Sequence, residues 1–311
     1  MPHTIQKVVY KGFGFQILSE IFLPELNRGS LEDDAADLYF VVEDLTEKWA
    51  KLAGPNRFFC FNENFVMFRI PNVATYLIQD GTKVVVSPVG GSNIDQVRLY
   101  LLGTCMGILL MQRRILPLHG SAIEIDGKAY AIVGDSGAGK STLASAFLQK
   151  GYQLISDDII PVSYTMGHKP SVTPAYPQQK LWQESLEAFG VASDNLRPIV
   201  ERETKFAVPV HSQFANRHLT LAGVFELVKT ENESINIEPI KNLHRLHTLF
   251  NHTYRNFLLA PCGLLDWHFS FTANLVTDLQ LFQIRRPMSR FTANELTGLI
   301  LSTLNEGEKV W

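Results

Sequence analysis

The stretch "AYAIVGDSGAGKSTLASAFLQKGYQLISDD", Ala129 to Asp158, decides the fold. It fits G-x-x-x-x-G-K-[ST], with Gly134, Gly139, Lys140 and Ser141 in the four fixed places. Before the loop, Ala129 to Val133 is a short apolar run that reads as a buried strand. After it, Ser141 to Lys150 carries good helix formers, with Leu143, Phe147 and Leu148 on one side. Strand, glycine loop and helix in that order predict an α/β core around a phosphate-binding loop.

The expected loop comprises Gly134, Asp135, Ser136, Gly137, Ala138, Gly139, Lys140, Ser141 and Thr142. Its glycines let the backbone turn N–H groups toward phosphate oxygens, and the following helix adds the positive end of its dipole. Lys140 is placed to reach the β and γ phosphates of ATP, and the Ser141 hydroxyl to bind the accompanying Mg²⁺. "YQLIS" then reads as the next strand, with Asp157 and Asp158 at its end, on the same edge of the sheet as the loop. One carboxylate there orders the metal. A second has a ready use as acceptor of a proton from an attacking hydroxyl.

Outward from this core, the 311 residues are 46% hydrophobic and 19% charged, as expected of a folded chain of about two domains. The net charge of -3 gives no electrostatic argument for nucleic acid. Cys60, Cys105 and Cys262 form no paired metal or redox spacing, which predicts buried thiols in a reducing cytoplasm. Lys7, Lys11 and Glu20 interrupt the apolar stretches at the N-terminus, so no secretory segment is expected. The apolar run Tyr100 to Met111 is short for a bilayer and predicts a core helix, so no membrane association is expected.

The first ninety residues read mostly as β, with a hairpin at Asp80-Gly81, and a helix follows from about Asn93 to Arg114. A second hairpin is expected at Asp126-Gly127. Further on, "HLTLAGVFELVK" and "LQLFQIRR" read as strands, "NLHRLHTLFNHTYRNFLL" and "FTANELTGLILSTL" as helical. The division predicted is a β-rich α+β domain over 1–92 and an α/β domain over 93–311. An exposed strand edge in the front domain could dock an extended peptide.

The stretch "LHGSAIEIDGKAYAIVGDSGAGKSTLASAFLQKGYQLISDDIIPV" resembles the catalytic core of the HPr kinase/phosphorylase family, which phosphorylates a serine on a carrier protein. The resemblance rests on His119-Gly120, the Gly134 to Ser141 loop, "KGYQLISDD" and, more weakly, "LAGVFELVK". It implies an HPr kinase-like P-loop fold using ATP and Mg²⁺. It also implies Asp157 as base on the acceptor hydroxyl and Asp158 as the metal-associated carboxylate, with the reverse order open, and His119 beside the phosphates. HPr kinases assemble as rings, which makes a homo-oligomer an expectation to test.

In the front piece, "FRIPNVATYLIQDGTKVVVSP" and "YLLGTCMGILLMQRRILPLHGSA" look like HPr-kinase-like proteins of peptide-modification systems, whose best-described members phosphorylate the C-terminal serine of lasso peptide precursors. The implied partner is a peptide with a serine acceptor. The sequence departs from the family where a glutamate-x-arginine-glycine segment is expected and "PAYPQQKLW" stands instead. The family's later arginine-bearing loop is not recognisable either, which speaks against a reverse, phosphate-removing activity. Lys180, Arg197, Arg202, Lys205 and the pair Arg285-Arg286 are the basic candidates for neutralising the moving phosphoryl group.

Two other readings stay open at this level. One is a small-molecule kinase or carboxykinase-like phosphotransferase. The other is a nucleotide-hydrolysing switch, against which stands the lack of an N/T-K-x-D or LSGGQ-type segment.

Overall fold

The computed structural model describes residues 7–31, 35–53, 57–62, 64–200 and 202–307, without the side chains of Arg202, Glu203 and Gly307. The chain divides into two compact units, Met1–Pro117 with Arg255–Ser270, and Leu118–Tyr254 with Phe271–Trp311. The break therefore falls after Pro117 rather than near residue 92, and the front unit takes back a later segment.

The reason lies in the helix Ile94–Gln112, which the sequence reading had assigned to the second domain. Its side chains and turns are tied to the strands Ala74–Gln79 and Lys83–Pro88 of the front sheet. The Tyr76 hydroxyl donates to the Val97 carbonyl at 3.1 Å. The Gly81 N–H donates to Gln112 Oε1 at 2.9 Å, and Arg113 Nη1 to the Gly81 carbonyl at 3.0 Å. Asn93 caps the helix by accepting from the Asp95 N–H at 2.8 Å. A π-helical stretch, Leu101–Cys105, interrupts it. Among the described residues it is long and apolar enough by composition to cross a membrane, and 78% of its most apolar window is buried inside the protein.

The front sheet has eight strands in the order Asn27–Arg28, Val8–Gly12, Phe15–Ser19, Leu38–Val42, Lys83–Pro88, Ala74–Gln79, Phe65–Ile70, Phe59–Asn62. The Asp80-Gly81 hairpin forms as read, with φ of 55° and 62° at those two residues. Alternation sorts the two faces. Met67, Leu77 and Val85 pack with Trp49 of the helix Thr46–Leu52, an element the sequence reading did not resolve. Phe68 and Tyr76 stack at 4.7 Å on the other face.

In the second unit, the strand Lys128–Val133 that feeds the phosphate loop lies between Leu116–Ile125, antiparallel, and Leu219–Thr230, parallel. The connection from Leu116–Ile125 is the two-residue Asp126-Gly127 turn, with φ of 49° and 75°. Gln280–Pro287 pairs in parallel beyond Leu219–Thr230. On the other side come Gln153–Tyr164 and then Pro170–Val172, whose Ser171 and Val172 close back on Thr220 and Leu219. Helices Lys140–Gln149 and Ala293–Gly307 cover this sheet through Leu143, Phe147, Leu296 and Ile300, packed on Ile132, Phe225, Leu227 and Ile284. Each such buried side chain contributes about 1.5–3 kcal/mol.

Two further expectations change. The aspartates do not end a strand: Gln153–Tyr164 runs through them, and Asp158 takes a left-handed φ of 76° inside it. The stretch read as one long helical segment splits into His244–Asn251 and a short turn Asn256–Leu258, separated by Arg255 at φ 53°, where the chain passes between units. The helix Leu265–Asp278 and the small sheet of Gln178–Trp182, Arg202–Pro209 and Arg197–Ile199 were not foreseen.

Candidate phosphate-transfer site

The loop turns on three glycines with positive φ: Gly134 at 148°, Gly137 at 78° and Gly139 at 101°. A Cβ on Gly134 would stand 2.4 Å from the Leu227 carbonyl oxygen, a backbone atom that cannot step aside. Gly134→Ala is therefore expected to lower stability by about 2 kcal/mol or more, read as a shift of the urea midpoint. An unchanged midpoint would show that the loop is not held this closely against the neighbouring strand.

Lys140 opens the helix and folds its ammonium back over the loop, donating to the Gly134 carbonyl at 2.8 Å and the Asp135 carbonyl at 3.0 Å. Burial pushes its pKa down, against the opposing pull of Asp157 and Asp158. Thr142 Oγ1 lies 2.8 Å from Ser185 Oγ, tying the helix start to the neighbouring helix Gln183–Ala188. Asp135, Ser136 and Gly137 are exposed on the outer turn of the loop, while Ala138 is buried.

Asp157 is buried, and both of its oxygens are engaged. Oδ1 accepts from Ser121 Oγ at 2.6 Å and from Ser141 Oγ at 2.9 Å, and Oδ2 accepts from the Lys180 N–H at 2.8 Å. Asp158 is more open, its side chain 23% exposed, and its Oδ2 accepts from Lys180 Nζ at 2.6 Å. Burial pushes the Asp158 carboxyl up, but Lys180 and then His119 outweigh it and hold the group well below the usual carboxylate range. Lys180 answers in kind: burial pushes it down, Asp158 more than compensates, and it stays a cation.

His119 sits 3.6 Å from Asp158 Oδ1, and its Nδ1–H donates to the Asp158 carbonyl at 3.0 Å. That bond leaves Nε2 as the acceptor of a neutral ring. Burial lowers its pKa, against the opposing pull of Asp158. Its backbone N–H donates to the His252 carbonyl at 2.7 Å, and His252 Nε2 lies 2.9 Å from Glu226 Oε1. Glu226 also accepts from Gln283 Nε2 at 2.8 Å.

The structure thus gathers Lys140, Ser141, Asp157, Asp158 and His119 around one loop. It adds Lys180 from the strand Gln178–Trp182, in the stretch that marks the departure from the family pattern. That strand is docked by Ser145 Oγ donating to Gln179 Oε1 at 2.8 Å. Lys205, opposite Trp182 in the small sheet and 5.3 Å over its ring, adds positive field at Lys140 and Asp158. Arg197 lies on the far strand of that sheet, and the Arg202 side chain falls outside the described residues. Of the pair Arg285-Arg286, strand alternation sends Arg285 outward to Gln283 and Arg286 to the loop. No local motif announces Lys180; the fold brings it in, through the pairing of its strand with Arg202–Pro209 and the bond of its N–H to Asp157.

Hard oxygen donors from Ser141 and Asp157, 2.9 Å apart, and a glycine loop closed by a lysine fit a magnesium–nucleotide pair. Among the described residues no group of three or more His, Cys, Asp or Glu forms an all-protein metal cage.

Parts of the chain are similar to known proteins. The family model described as the HPr Serine kinase C-terminal domain matches residues 112–191. An HPr kinase/phosphorylase of Mycoplasmopsis pulmonis is 43% identical over 65 residues, 20% of this chain and 21% of that protein. One of Azoarcus sp. is 35% identical over 108 residues, 35% of this chain and 31% of that protein. One of Nitrosomonas europaea is 27% identical over 158 residues, 47% of this chain and 48% of that protein. The chain thus spans under half the length of these relatives. A solved HPr(Ser) kinase/phosphatase from Coxiella burnetii aligns at 15% identity with a TM-score of 0.33, over 62% of this chain and 98% of that one. Residues 112–191 of this chain are thus similar to the C-terminal domain of HPr serine kinases.

Proposed function

We propose that this protein is an ATP- and Mg²⁺-dependent cytoplasmic kinase that transfers the γ-phosphoryl group to a serine hydroxyl of a peptide. The observation that carries the reading is the row Ser141, Asp157, Asp158 and Lys180 beside a closed phosphate loop. Bound Mg²⁺ would neutralise charge on the phosphates. The residues of the chain do the rest: the loop amides and Lys140 orient the phosphates, and Lys180 offsets charge on the moving group.

The hydrogen bonds favour exchanging the roles that the family resemblance implies for the two aspartates. Asp157 lies directly against the candidate metal-binding hydroxyl of Ser141, and three donors hold it. Asp158 is the more open carboxylate and faces His119 and Lys180, which suits reception of an acceptor hydroxyl. Its low pKa does not disqualify it, because proton transfer in a loose phosphoryl transition state comes late.

The acceptor we favour is the C-terminal serine of a lasso peptide precursor, on the likeness of the front stretches to that branch. Intact-mass spectrometry of such a peptide, incubated with protein, ATP and Mg²⁺, is expected to show the gain of one phosphate. ATP consumed with the peptide unmodified would move the acceptor to a small molecule or to water. No nucleotide binding at all would overturn the kinase reading.

A further inference from the structure

We propose that Lys229 and Arg286 form a second cationic clamp on the phosphate loop that holds the non-transferred phosphates of the nucleotide. This rests on the nucleotide reading above. Both residues stand on strands parallel to the loop strand, and they are direct cross-strand partners. The register places Glu226 beside Val133, the last residue before the loop, so Lys229 stands three residues further on, level with the loop itself.

The side chains point at that loop. Arg286 Nε donates to the Ala138 carbonyl at 2.8 Å and Nη1 to the Pro287 carbonyl at 3.1 Å. Its Nη2 is 3.4 Å from where a Cβ on Gly139 would stand, and Lys229 Nζ is 3.6 Å from the same point on Gly137. The two cations therefore flank the second and third glycines. Among the described residues neither has a carboxylate partner within ion-pair distance. Glu226, on the same strand as Lys229, is engaged by His252 and Gln283.

Two unneutralised cations beside backbone that itself attracts anions call for an anionic occupant. Sheet order says which part of it. The aspartates lie on Gln153–Tyr164, on one side of the loop strand, while Lys229 and Arg286 lie on the two strands of the other side. The acceptor and the transferred phosphoryl belong to the aspartate side. The clamp then serves the α and β phosphates, which stay with the leaving nucleotide, and it stabilises the charge that grows there as the bond to the γ phosphorus breaks.

The test is calorimetric binding of Mg-ATP and Mg-ADP to the full chain at two salt concentrations, with Lys229→Gln, Arg286→Gln and Arg286→Lys. Each Gln variant is expected to weaken ADP and ATP alike, by about tenfold, and to flatten the salt dependence. Arg286→Lys should recover part of the loss. Lys229→Gln removes none of the loop's hydrogen bonds, so it keeps the test valid if Arg286→Gln unfolds the loop. Wild-type affinity in Lys229→Gln, or a loss for ATP without one for ADP, would overturn the assignment while leaving the nucleotide reading intact. Failure of the wild type to bind either nucleotide would overturn both.

Discussion

Asp158→Asn is expected to reduce phosphoryl transfer by about 10²–10⁴-fold while leaving Mg²⁺-nucleotide affinity near that of the wild type. Asp157→Asn is expected to lose transfer too, but together with most of its dependence on Mg²⁺ concentration. The difference follows from what each carboxylate touches. Asp157 bonds the hydroxyls of Ser121 and Ser141, so an amide there places an N–H where a metal-side oxygen was needed. Asp158 touches no residue of the phosphate loop in the hydrogen bonds it makes; its partners are Lys180 and His119. Its loss therefore falls on the acceptor side. A pair of titrations, velocity against Mg²⁺ and nucleotide binding by calorimetry, separates the two outcomes. If Asp157→Asn keeps full Mg²⁺ response and loses only transfer, the roles return to those the family resemblance implies.

The sequence carried most of the loop side of this site and little of its opposite wall. A glycine loop is legible because three residues with positive φ, a lysine and a hydroxyl must occur at fixed spacing on one continuous piece of chain. The strand Leu219–Thr230 was legible as a nearly continuous apolar run, and Gln280–Pro287 through Leu281, Phe282 and Ile284. Lys180 and Arg286 were legible only as two of six unranked basic candidates and Lys229 not at all, because their positions depend on which strands pair and in what register, and a single charged residue on a strand reads as surface. The path through the aspartates shows the same limit. A left-handed residue inside a strand leaves no local signal when it is Asp rather than Gly, so the strand was read as stopping where it only bends. The boundary between units shifted because the helix Ile94–Gln112 is apolar on more than one side, and its pattern alone does not say which sheet it covers.

Lys180→Ala should be the most destabilising change among the charged residues of the site, by about 2–3 kcal/mol at pH 7. Breaking a buried pair by removing one partner costs about 3–5 kcal/mol, and the 23% exposure of Asp158 reduces that figure. The pH dependence gives the prediction its sign. In the wild type, burial raises the Asp158 carboxyl but Lys180 holds it well below its unfolded value, so the pair stabilises above the unfolded pKa. That contribution fades as pH falls toward the folded pKa. In the variant burial is opposed only by the weaker pull of His119 and Lys205, the folded pKa rises, and the charged carboxylate becomes a penalty that protonation removes. The gap between wild type and variant is therefore largest near neutral pH and narrows toward pH 4. Urea unfolding of both proteins across that range measures it directly. A gap that stays constant with pH would mean that Lys180 acts through packing alone, and Asp158 would then need another group to keep it ionised beside the phosphate loop.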